Sequence, residues 1–406
     1  MLYNKSSFLI LSVALLFSCQ PSGSKIEKVT TIDHRPITAL NPEVKQTSIP
    51  SAKPNNRFYN ITAVLCGQTR EANNLNCLFD TIARSSNAMF IDSSWKMLEK
   101  KRLLAMKTWG RKEFEKPNAK VKVVFYPFSG PDYLSANAFF PDADTYILLG
   151  LEPVGKSPDP SPFKTGEALD YANAFRKSLA DIFDKSYFIT QSMLADFQKQ
   201  KVNGLLPVLC FFIQKTGNPI TNIKYLVRHK QDSASEVDYD FKSGHKKPFG
   251  VHIFFTQDGK QRSAFYFKYD VSNKLFNDTT IFYKFTNANT QHCITYLKSA
   301  SYLLHANFMS KMRRLILNNS DAVIKDDTGI PFDYFEKENN FDIKLYGHYT
   351  KPVSNFPYLK MQKTLLEALR RDSITIRDLP FHLGYHWGTK KDIIIFAQKK
   401  TLLNYF

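Results

Sequence analysis

Four carboxylates and one histidine, Asp132, Glu152, Asp326, Asp327 and His386, sit in or beside turn-rich stretches that could bring them together. Asp132 closes the turn Pro127-Phe128-Ser129-Gly130-Pro131-Asp132, and Glu152 follows Gly150-Leu151 and precedes Pro153. Asp326 and Asp327 open the cluster Asp326-Asp327-Thr328-Gly329-Ile330-Pro331. Carboxylates paired across a cleft act as acid and base in glycoside cleavage, or hold a divalent cation. Acids that follow strands also cap turns and helices, and both readings fit these positions. His382 and His386 have the i, i+4 spacing of metal ligands. Pro380 precedes them, Gly384 parts them, and no glutamate completes a His-Glu-x-x-His set, so no metal is expected. No Gly-x-Ser-x-Gly elbow is present.

The elements that must carry these residues read as alternating strands and helices. Val121 to Tyr126 is a buried strand, Tyr133 to Phe139 a short helix and Thr145 to Leu149 a second strand. Such a βαβ unit puts Asp132 and Glu152 at the carboxyl ends of neighbouring parallel strands, where open α/β sheets build their sites. From Cys293 the order returns. Ile294 to Leu297 is a strand, Ser299 to Asn307 parallels Ser129 to Asn137, a helix runs through Met312 and Leu315, and Ala322 to Ile324 leads into the acid pair. The expected fold is α/β, an open and mostly parallel sheet built from βαβ units. Residues 57–215 and 290–406 form two halves whose shared order admits a duplication. Between them, in 216–289, Gly250 to Phe255 and Ala264 to Tyr269 flank Asp258-Gly259 as an inserted antiparallel hairpin. Helices are further expected over 93–114, 167–183, 190–200 and 360–371, and strands over 343–346 and 392–397. Leu205 to Ile213 is too short to type by period alone. Residues 380–388 form an aromatic loop, a lid or a plug for the core.

The βαβ outline resembles class I methyltransferases and dinucleotide-binding folds. Ser129-Gly130-Pro131 offers one glycine where those loops need several, and Pro131 removes an N–H that could face a phosphate. The resemblance therefore implies topology and no cofactor.

The chain has 406 residues with 34 Phe and 20 Tyr, enough for a large aromatic core. Its 55 Lys and Arg against 37 Asp and Glu leave a formal charge of +18, spread along the whole length. That charge keeps the chain soluble or draws it to anionic envelope material such as lipid phosphates and acidic glycans. No nucleic-acid motif accompanies it. Cys66 and Cys77 flank a polar stretch and suit a disulfide, whereas Cys210, in Leu209-Cys210-Phe211-Phe212, reads as a buried thiol.

Lys5 and the apolar run Phe8 to Phe17 have the grammar of a secretory signal, and about ten residues are too few to span a bilayer as a helix. Leu16-Phe17-Ser18-Cys19 resembles the lipobox of bacterial lipoproteins. The resemblance implies that the signal peptide 1–18 is removed and that Cys19 carries the lipid. Gln20 is not the aspartate that favours inner-membrane retention in that family, which implies the periplasmic face of the outer membrane. Residues 19–56, rich in Ser, Thr, Pro and Lys, then serve as a tether. The body resembles uncharacterised envelope proteins with similar Gly-Pro-Asp and Asp-Asp-x-Gly-Ile-Pro segments. The expected function is that of an anchored lipoprotein binding an envelope protein or an anionic glycan. The alternative is a periplasmic hydrolase or transferase working through the carboxylates.

Overall fold

Strands buried on both faces need apolar side chains at successive positions, and the middle of this chain supplies them. The computed structural model describes residues 62–63, 65–67, 86–158, 164–184, 202, 204–229, 233–239, 241, 247–337, 340–353, 356–371, 379–386 and 392–400. Cys19, Cys77, the signal and tether segments 1–18 and 19–56, and the expected helix 190–200 lie outside them. Among the described residues, ten strands form one sheet: β1 (Val123–Tyr126), β2 (Thr145–Gly150), β3 (Ile220–Arg228), β4 (Ala234–Val237), β5 (Gly250–Gln257), β6 (Lys260–Lys268), β7 (Cys293–Leu297), β8 (Ser320–Lys325), β9 (Phe341–Gly347) and β10 (Ile393–Lys399). Their spatial order is β4-β3-β5-β6-β2-β1-β7-β8-β10-β9. The five central strands, β6 to β8 in that order, run parallel, and the pairs outside them are antiparallel. The fold is therefore α/β, with strands from 57–215, 216–289 and 290–406 all in the same sheet.

Alternation along each strand sorts the core into two layers. Val124, Tyr126, Tyr146, Leu148, Ile294 and Tyr296 pack on α1 (Ser86–Leu98), α2 (Leu104–Glu113), α3 (Tyr133–Phe139), α4 (Thr165–Ser178) and α5 (Leu206–Lys215). Phe125, Ile147, Leu149, Leu297 and Val323 face the other way, against α6 (Ile281–Asn289) and α7 (Ser310–Asn319). A π turn, Glu99–Leu103, joins α1 to α2, so the helix expected over 93–114 is longer and locally underwound in its middle. Trp95 and Trp109 are core residues; Trp109 meets Phe114, Phe139, Tyr346 and Phe381 edge-on. The apolar run from Leu205 is helical, and α5 is buried from Leu206 to Gln214, which is why it shows no polar face.

The Asp-Gly hairpin forms as expected, with Asp258 at φ 49° and Gly259 at φ 74°, the positive values a two-residue primed turn requires. Its second strand begins earlier, at Lys260, and pairs in parallel with β2, which stitches the hairpin into the sheet. The C-terminal helix is shorter than 360–371, at α8 (Lys363–Ala368). Cys66 is a buried free thiol that donates to the Phe211 carbonyl at 3.7 Å.

The chain leaves β1 through α3 toward β2 on one side, and leaves β7 through α7 toward β8 on the other. Parallel crossovers share one hand, so reversing direction places α3 and α7 on opposite faces. The carboxyl ends of β1 and β7 consequently diverge, which makes their boundary the topological switch point of the sheet.

Candidate functional site at the carboxyl edge

The residues leaving β1, β7 and β8 meet at that switch point. Asp132 caps α3 by accepting the Ser135 N–H at 3.1 Å on Oδ1. Its Oδ2 accepts the Tyr126 hydroxyl at 3.1 Å and the Lys298 ammonium at 2.5 Å. Lys298 follows β7 directly, also donates to Ser135 Oγ at 3.1 Å, and is 2% exposed, as is Asp132. Ser299, the next residue, turns toward β8. Its N–H donates to Asp326 Oδ2 at 3.0 Å. Asp326 Oδ1 takes the Thr328 N–H at 2.9 Å and hydroxyl at 2.5 Å. Burial, and then the neighbouring Asp327, push the Asp326 carboxyl up to about 6. Lys325, at the end of β8, is pulled down to about 8 by burial.

Asp327 Oδ2 lies 3.3 Å from His386 Nε2, while its Oδ1 is buried without a hydrogen-bond partner. Burial opposes the charged His386 ring, but the hydrogen bond and charge of Asp327 outweigh it and raise the ring's pKa. The loop that carries His386 closes over the cluster. Gly384 stands at φ 60°, and a Cβ there would lie 2.6 Å from Asp326 Oδ2. Only glycine lets the backbone approach so closely in this conformation. Glu152 occupies the neighbouring β2 exit, 3% exposed, with the Tyr266 hydroxyl donating to its carbonyl at 2.8 Å. That hydroxyl also lies 3.3 Å from Glu152 Oε2.

All five residues singled out in the sequence thus lie at one edge of the sheet. Asp326, Asp327 and His386 are linked through adjacent contacts; Asp132 joins them by way of Lys298 and Ser299; Glu152 stands apart on Tyr266. Asp132 and Asp326 both cap local backbone, and neither is open to solvent. None of the described cavities is lined by any of the five.

His382 and His386 do not share a ligand. His382 Nδ1 hydrogen-bonds Asp392 Oδ2, whose other oxygen accepts the Leu383 N–H at 2.9 Å. This dyad lines a cavity of about 830 Å³ together with Lys101, Arg102, Phe183 and Phe381. Among the described residues no three His, Cys, Asp or Glu side chains converge as a metal site, and no helix is long and apolar enough to cross a membrane.

Sequence reasoning missed Lys298, Ser299 and Asp392, since a lysine or serine after a strand carries no signal of its own. It also excluded a phosphate-binding loop, although Gly150-Leu151-Glu152-Pro153-Val154-Gly155-Lys156-Ser157 has that residue spacing. The structure denies it that context. Residues 153–158 are irregular rather than the start of a helix, and the Pro153 and Val154 carbonyls accept the Leu205 and Leu206 N–H groups at 3.0 and 2.9 Å. The Ser157 N–H is taken by the Tyr225 hydroxyl at 2.7 Å. These groups hold the loop against α5 and do not line up around an anion. No family model matches the chain, and no curated protein matches its sequence.

Proposed function

We propose that the protein is an outer-membrane lipoprotein, anchored through Cys19 on the periplasmic face, that binds an envelope protein or glycan without transforming it. The observation that supports binding over catalysis is the closure of the carboxyl edge. Asp132, Glu152, Asp326 and Asp327 are all buried, each with an internal contact, and the Gly384 backbone rests on the Asp326 carboxylate. A general acid must reach substrate within hydrogen-bond distance or through one water. Buried ionic clusters instead hold neighbouring loops in a fixed arrangement, and the loops leaving β1, β7 and β8 are the ones a ligand at this edge would meet. The anchor rests on the Leu16-Phe17-Ser18-Cys19 resemblance, and the +18 charge favours anionic envelope material.

Affinity capture from the native envelope, with the full chain compared to Cys19→Ala, tests the reading. Partners recovered with the anchored form and lost from the variant support it. Equal recovery from both forms, or an unacylated Cys19 in the mature protein, overturns it.

A hydrolase reading is favoured by one feature. Ser299, two residues beyond β7, stands at φ 59°, and its buried Oγ has no hydrogen-bond partner. Strain and unused hydrogen-bonding capacity at a switch point mark reactive serines. Covalent labelling of Ser299 by a fluorophosphonate would establish this second reading, and a failure to label would remove it.

A further inference from the structure

Five aromatic rings run across the segments that follow β7 and β9. Phe308 meets Tyr358 edge-on with centroids 5.5 Å apart, Tyr302 lies 4.8 Å from Phe356, and Phe356 stacks on Tyr385 at 4.4 Å. Tyr302 and Tyr358 are near neighbours: burial first, and then Tyr358, raise the Tyr302 phenol. The ribbon ends beside His386, on the loop that seals the buried cluster. Its open end borders a cavity of about 670 Å³ lined by His305, Asn307, Asp333, Lys360, Lys363 and Thr364. Phe308, Tyr358 and Met361 in its rim are 41%, 47% and 45% exposed, an unusual concentration of large apolar side chains left in water.

Two details set this cavity apart from a packing defect. Tyr358 is held at φ 72°, a conformation a bulky residue rarely adopts, and such strain persists where the surroundings hold a side chain in place for use. His305 on the cavity wall has a buried Nε2 with no hydrogen-bond partner; burial, then Lys325, push its ring down to about 4, so it stays neutral. Flat apolar faces beside polar and cationic groups match a sugar, whose ring presents C–H groups on its faces and hydroxyls at its edge. Lys360 and Lys363 favour a ligand with carboxylate substituents.

We propose that this cavity and the aromatic ribbon bind an acidic oligosaccharide, with a sugar ring against Tyr358 and Phe308 and its carboxylate between Lys360 and Lys363. The proposal rests on the reading of the protein as an envelope-binding protein and names the ligand class and the site.

Calorimetric titration of the full chain with hexagalacturonate and with maltohexaose tests it. The acidic hexamer binds at least about tenfold more tightly than the neutral one, and Tyr358→Ala and Phe308→Ala each weaken it about tenfold, the worth of one stacked ring. Lys360→Gln with Lys363→Gln removes the preference for the acidic hexamer, whereas Lys122→Gln at the opposite edge of the sheet leaves it intact. All these side chains are exposed, so thermal melting should match the unsubstituted chain. The proposal is overturned if the hexagalacturonate does not bind, or if it binds Tyr358→Ala and Phe308→Ala as tightly as the original. Envelope capture that persists in either case would leave the broader binding reading standing and remove only this site.

Discussion

Replacing Lys298 by Met removes a charge from the centre of the switch point while keeping much of the side chain's volume. The Lys298 and Asp132 side chains are 2% and 3% exposed, with nitrogen and oxygen 2.5 Å apart. At an effective dielectric of about 20, that separation corresponds to about 7 kcal/mol of attraction, most of which offsets the desolvation of the two ions. Removing one partner leaves the other buried, which costs about 3–5 kcal/mol. Asp132 keeps its bonds from Tyr126 and Ser135, so the lower figure, about 3 kcal/mol, is expected. Lys298→Met combined with Asp132→Asn removes both charges and keeps an acceptor for the Ser135 N–H. The pair should cost only about 1 kcal/mol, less than either single change, with a coupling above about 2 kcal/mol. Urea denaturation at neutral pH measures all three variants. Additive losses, or a Lys298→Met loss below about 1 kcal/mol, would refute the picture of a closed ion pair that ties β1 to β7.

The Asp326 carboxyl, at about 6 in the fold and near its ordinary value when unfolded, is protonated in the folded chain while the unfolded chain has already ionised; stability therefore falls as pH rises from about 4 to about 6, by on the order of 3 kcal/mol. Asp326→Asn should flatten that limb in urea midpoints taken across the range, and an unchanged slope would contradict the assignment. Gly384→Ala places a methyl against Asp326 Oδ2 in a left-handed conformation and should lower the unfolding free energy by about 2 kcal/mol, read as a melting shift. Burial holds the Cys66 thiol up at about 12 and Cys293 at about 11, and raises Cys210 as well. Peptide mapping after native iodoacetamide treatment should find these three unmodified, and full labelling once the chain is unfolded.

The central sheet was legible because its strands are short apolar runs bounded by glycine, proline and aspartate, and because Asp258-Gly259 dictates its turn. β3 escaped notice for a physical reason. A register shift between Ile220 and Asn222 breaks the alternation that marks a half-buried strand. α6 was hidden by Phe, Tyr, Thr and Asn, poor helix formers that tertiary packing overrides, although Thr280 caps it by accepting the Tyr283 N–H at 3.3 Å. At the site, acids after strands could be placed by topology. What they bind could not, because the partner of Asp132 lies 166 positions away in Lys298. Buried ion pairs of that kind depend on three-dimensional proximity that no local spacing encodes. The phosphate-loop spacing at Gly150 to Ser157 teaches the converse, since the pattern is present and the strand-to-helix context it needs is absent.

Incubating the full chain with a soluble digest of envelope glycans, and following bound and free fractions by mass spectrometry, tests the account at its centre. A sealed carboxyl edge predicts that acidic fragments are retained and recovered with unchanged mass. New fragment masses that vanish with Asp326→Asn or Asp132→Asn would show that the buried acids do chemistry, and would contradict it.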